Sequence, residues 1–80
     1  MTENTALFYP ARYIRTEWGT SLGICNKGYK NPTDAMRKAL ERADSKEDFI
    51  ANHTIATLED GEYIPIPDAI SKDLKKRMMA

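Results

Sequence analysis

The period of the apolar positions shifts along this chain, and each shift marks an element. In residues 31–43, Met36, Ala39, Leu40 and Ala43 form one helical stripe against Arg37, Lys38, Glu41 and Arg42. Asn31 is placed to cap the free amides of the first turn, Pro32 suits the first helical position, and Asp34 puts negative charge at the positive end of the dipole. A helix this short is marginal alone, so it must lie on a sheet built from its flanks.

Upstream, Leu7, Phe8, Tyr9, Tyr13 and Ile14 predict a strand over 7–14, with Pro10 breaking the ladder so that regular pairing begins at Ala11. Residues 1–5 are polar and expected to fray. Thr16-Glu17-Trp18-Gly19 reads as a turn in which Gly19 takes a positive φ. Residues 21–27 alternate, with Leu22 and Ile24 on one face and Gly23 and Cys25 on the other, which completes an antiparallel hairpin ended by Gly28.

Downstream, Ser45 offers a new start signal, so 46–51 reads as a helical turn burying Phe49 and Ile50 and ended by Asn52. Asp60-Gly61 is a strong hairpin signal between strands at 53–58 and 62–66. A two-residue turn there opposes Leu58 to Tyr63, Thr57 to Ile64, Ala56 to Pro65 and Ile55 to Ile66. Ile55, Ile64 and Ile66, with Thr57, then seat the helix, while Ala56, Leu58, Tyr63 and Pro65 form the other side. Pro65 and Pro67 blunt one lateral edge, so this return strand belongs at the rim of the sheet, and the first hairpin is left with an unpaired opposite rim. A last helix over 68–78 carries Ile70, Leu74 and Met78 at four-residue spacing, with Lys75, Lys76 and Arg77 at its negative end.

The predicted fold is α+β, in the order ββαββα: an antiparallel sheet of about four strands, one helix on a face and a C-terminal helix beside it. Residues 1–80 make one domain, near the lower size limit for unaided folding. No stretch approaches the roughly 20 apolar residues of a membrane helix, and the lone Cys25, with no apolar N-terminal run, points to a reducing cytoplasm.

Charge balances to zero, which removes any global field for nucleic acid or an anionic membrane. The balance is segregated, however. Residues 1–43 hold seven basic and four acidic side chains, residues 44–68 one and seven, and residues 69–80 four and one. Much of this is solvated surface, and its sharper meaning is an acidic middle segment that meets a basic partner.

Candidate chemistry is sparse. Cys25 and His53 are the only thiol and imidazole, and they form a nucleophile and base only within hydrogen-bond reach and with an orienting third group. A hollow lined by both would speak for catalysis; otherwise they read as a half-buried thiol and a strand-end histidine. One Cys and one His fall short of a zinc site, Glu59, Asp60 and Glu62 fit turn chemistry better than a calcium loop, and the glycines lack phosphate-cradling spacing. No catalytic residue, metal or cofactor is therefore expected, and the chain reads as a binder and not an enzyme. Arg12, Arg15, Lys27 and Lys30 near Tyr13, Trp18 and Tyr29 supply a weak nucleic-acid signal. Trp18, in a turn, is either folded back over the small core or offered to a partner; so small a domain favours folding back.

In its succession of elements and lack of chemistry, the chain resembles in kind the small proteins with which phages and mobile elements disable host machinery, anti-CRISPR proteins among them. A more literal, partial resemblance is to HicB-type antitoxins. It rests on Tyr9-Pro10-Ala11, Gly19, Gly28, Asn31-Pro32-Thr33-Asp34-Ala35-Met36, Leu58-Glu59-Asp60-Gly61-Glu62 and Ile64-Pro65. The strand with a Pro-rich turn that precedes the helix in that family has no counterpart here.

The leading expectation is a non-enzymatic inhibitor that docks on a host protein or nucleoprotein complex such as a CRISPR effector. Asp44, Glu47, Asp48, Glu59, Asp60 and Glu62 would enter grooves meant for phosphates. The alternative is a HicB-like or nucleic-acid-binding regulator using Arg12, Arg15, Trp18, Lys27 and Lys30. Either is expected to work in the host cytoplasm as a monomer or homodimer, away from membranes.

Overall fold

The computed structural model describes residues 7–79; the stretch 1–5 expected to fray lies outside them. The elements run β1 (Phe8–Thr16), β2 (Gly19–Ile24), α1 (Pro32–Arg42), α2 (Lys46–Asn52), β3 (His53–Glu59), β4 (Glu62–Pro65) and α3 (Asp68–Met79). The strands form a four-stranded antiparallel sheet ordered β2-β1-β3-β4. This is the expected α+β architecture, with the turn at 46–51 present as a separate helix.

Local chemistry accounts for the helix starts. The Asn31 side chain accepts the Thr33 amide at 2.8 Å with Pro32 at the first helical position, and the Ser45 hydroxyl accepts the Asp48 amide at 3.0 Å. Asp60 and Gly61 both take positive φ, 49° and 82°, as a tight hairpin requires. The pairs Leu58–Tyr63, Thr57–Ile64 and Ala56–Pro65 form as predicted, and the Ile66 amide donates to the Ile55 carbonyl at 3.1 Å.

Pro10 behaves differently on its two sides. Towards β2 the ladder does begin at Ala11, opposite Ile24. Towards β3, β1 pairs from Phe8 onward, so Pro10 lies inside a central strand. The strand tolerates it because its backbone faces β2, where its carbonyl still accepts from Cys25 at 2.9 Å and only one donor is lost. Gly28 follows, so close to Leu7 and Tyr9 that a Cβ would lie 3.0 Å from both.

One side of α1 (Ala35, Met36 and Ala39) packs with Phe49, Ile55, Ile66 and Leu74 to make the core. Met36, Phe49 and Ile55 are fully buried, each worth about 1.5–3 kcal/mol of transfer free energy. Three expectations fail here. Ile50 is 56 % exposed because the one face that α2 offers the core is taken by Phe49. Ile64 is 41 % exposed because α1 lies over β1 and β3 and stops short of the edge strand. On α3, Leu74 is buried but Ile70 points outward, since the helix sets Ser71 against β3 instead. On the opposite sheet face, the rings of Tyr9 and Tyr63 meet edge to face at 5.2 Å, on the side that buried Ala56 shares.

Ser71 and Thr54 are both buried and share a hydrogen bond of 3.1 Å. Thr54→Val leaves Ser71 without its partner and is expected to cost about 1–3 kcal/mol. Adding Ser71→Ala recovers part of that loss. Urea unfolding of the two single variants and the double variant checks this; strictly additive costs would show that the bond contributes nothing.

Candidate interaction surface

β3 pairs with β1 only between Phe8 and Arg12. Beyond that point residues 13–16 and 19–22 continue as a two-stranded ribbon, about 14 Å long at roughly 3.4 Å per residue. Arg15 braces its root by hydrogen bonds to the Asn52 side chain and, at 3.2 Å, to the Ala51 carbonyl, while its guanidinium lies over the Tyr13 ring at 5.7 Å.

At the tip, the Thr16 hydroxyl accepts the Trp18 amide at 3.2 Å and donates to the Gly19 carbonyl at 3.1 Å. Gly19 takes the expected positive φ, 130°. Trp18 itself is 89 % exposed, which overturns the folded-back expectation. The ribbon carries the turn past the sheet edge, so no core surface lies within the indole's reach.

The six acidic candidates do not form one surface. Glu59, Asp60 and Glu62 surround the β3–β4 turn, whereas Asp44, Glu47 and Asp48 lie at the start of α2, which leads into the opposite end of β3. The length of β3 alone separates the two groups by about 20 Å. Asp48 is also internally engaged. It accepts from the Asn52 side-chain amide at 2.8 Å, the Asp44 backbone amide at 3.1 Å and the Nε2–H of buried His53 at 3.1 Å. These bonds, the Asn52 one foremost, hold its carboxyl down at about 2. Ser45-Lys46-Glu47-Asp48 has capping-box spacing, a signal that could have revealed this role.

The sign of the pH effect follows. Asp48 titrates lower in the folded chain than its ordinary 3.8, so its contribution is complete above about pH 4 and is lost as pH falls through about 2. The stability gap between the wild type and Asp48→Asn, read by urea unfolding, is expected to be constant near neutrality and to close between about pH 4 and pH 2. A gap that is unchanged at pH 2 would refute this role for Asp48.

The basic candidates are dispersed. Arg15 is tied to α2, and Lys27 lies over the Tyr29 ring at 5.6 Å. Lys30 is exposed just before the cap of α1, and Arg12 is exposed on β1.

Arg12 also lines a hollow of about 320 Å³ between the first hairpin and α1, together with Pro10, Ile14, Cys25, Arg42 and His53 among others. This hollow does bring Cys25 and His53 to one concavity, and Asp48 orients the imidazole. The sheet nevertheless keeps the two apart. Cys25 belongs to the β2 side of β1 and His53 to the β3 side, so two strand spacings, about 10 Å, lie between their backbones. Among the described residues no hydrogen bond joins them, and no group of three or more His, Cys, Asp or Glu side chains is placed to hold a metal.

The class defined by these features is a small α+β domain with helices packed on an antiparallel sheet and a braced aromatic ribbon as its most prominent surface. No protein-family model, curated protein or solved structure matches the chain. Among the described residues no helix is long and apolar enough to cross a membrane.

Proposed function

We propose that this protein is a non-enzymatic protein-binding module, an inhibitor of the kind phages encode, which docks on a larger host protein or nucleoprotein complex in the cytoplasm. The observation that carries this reading is the exposed Trp18 on a ribbon pinned at its root and at its tip. A large aromatic held rigidly in water gains most when a partner's pocket desolvates it, and little ordering entropy opposes that gain. Asp44 and Glu47, one short helix away from the ribbon, suit a partner with basic surface beside that pocket. A CRISPR effector is one such complex.

The test is quantitative affinity capture from host lysate, comparing wild-type bait with Trp18→Ala and with a triple charge reversal of Glu59, Asp60 and Glu62. Proteins retained by wild type and lost with Trp18→Ala support the reading. The triple reversal leaves them bound if the ribbon is the principal contact. Identical captured sets for wild type and Trp18→Ala overturn it. So does a salt-sensitive shift of a labelled oligonucleotide that disappears on combining Arg12→Glu with Arg15→Glu, the result expected of the HicB-like alternative.

A further inference from the structure

The two rims of the sheet are treated differently. β4 carries Pro65 and is followed by Pro67, which protects that edge. β2, the other edge, is Gly-Thr-Ser-Leu-Gly-Ile, without a charge or a proline. Natural sheets seldom leave such an edge open unless a strand is added to it.

We propose that the added strand is β2 of a second copy, paired antiparallel about a two-fold axis at Leu22. The Cys25 amide donates to the Pro10 carbonyl, so by alternation Ser21 and Gly23 also face β1. Thr20, Leu22 and Ile24 are left with their backbone groups directed outward. An axis at Leu22 opposes Leu22 to Leu22 and Thr20 to Ile24, so about six hydrogen bonds form and every outward residue of β2 is used. An axis at Ser21 or Gly23 instead leaves one outward residue overhanging the end of the strand.

Charge selects the same register. Continued past the strand ends, it brings Glu17 opposite Lys27 of the second copy, and the two-fold repeats the pair. An axis at Ser21 would oppose Glu17 to Cys25, and one at Gly23 would oppose it to Tyr29. Leu22 and Ile24 share their sheet face with Tyr13 and Ala11, so pairing joins two half-exposed apolar rows into one. The four-stranded sheet is thereby doubled, and the two Trp18 ribbons point to opposite ends. The inference rests on the β2 edge alone and is independent of the partner proposed above.

Sedimentation equilibrium of the full chain between about 1 and 300 µM tests it. The expected mass at the upper end is twice 9.1 kDa. Leu22→Pro removes an amide that β1 does not use and is expected to give a folded monomer by circular dichroism and sedimentation. Glu17→Lys and Lys27→Glu each weaken dimerisation about tenfold, and the double variant restores it, because both residues are exposed and the swap only exchanges the charges. Wild type remaining a monomer at about 300 µM overturns the proposal. So does a folded Leu22→Pro that still dimerises, or a double swap that restores nothing.

Discussion

Phe49→Ala is expected to cost about 3–5 kcal/mol, against a total stability of about 4–12 kcal/mol for a chain of 80 residues. The ring has no exposed surface and stands where α2 meets the rest of the core, with the Lys75 ammonium 5.7 Å from its centre and His53 tilted against it at 6.5 Å. A short helix cannot close around the void, because its start is fixed by Ser45 and Asp48 and its end passes directly into β3. Much of the population is therefore expected to be unfolded at physiological temperature. Ile50→Ala, one residue along and more than half exposed, is expected to change stability by only about 0.5 kcal/mol. Urea unfolding of both variants decides the matter. Equal costs would mean that α2 does not present Phe49 to the core as described.

Trp18→Ala is expected to weaken partner binding by about 30- to 1,000-fold, or about 2–4 kcal/mol, the range of a central aromatic hot spot. Stability should stay within about 0.5 kcal/mol of wild type, because the removed side chain touches water and not the core. Trp18→Phe keeps part of the aromatic surface and should retain part of the affinity. Titration calorimetry or surface binding against the captured partner, beside urea unfolding, separates the two effects. A large loss of stability in Trp18→Ala, or an unchanged affinity, would remove the ribbon from the interface.

These two aromatics show where sequence periodicity suffices. Phe49 was legible as core because Ser45 starts a helix and an apolar side chain four residues later falls on its inner side. Its neighbour Ile50 carries the same hydrophobic signal, yet a helix of seven residues offers the core only one narrow face. Periodicity over so few residues does not tell which side chain wins. Trp18 was legible as a turn residue and nothing more. Its exposure depends on β3 ending opposite Arg12 while β1 continues to Thr16, a difference in length between strands that are distant in sequence.

The candidate surfaces divide along the same line. Acidic residues in one segment suggested one patch, but segregation along a chain is not segregation in space. A single strand carries Glu59, Asp60 and Glu62 to the end of the sheet opposite Asp44 and Glu47, and Asp48 is consumed by its own capping network. The Cys25–His53 hollow was the reverse case: residues far apart in sequence share a concavity, and one intervening strand keeps them out of bonding distance.

By itself the amino-acid order determined the elements: the Asn31–Pro32 cap, the Asp60-Gly61 reversal, the register from Leu58–Tyr63 to Ile55–Ile66 and the proline-blunted rim. Each of these depends on interactions within a few residues or on the two-residue alternation of a strand. Only the tertiary structure decided which apolar residues are covered, how far the first ribbon projects, that Asp48 holds His53, and that β2 is an open edge. Those outcomes depend on where strands and helices of unequal length end against one another, and that arises only when distant segments pack.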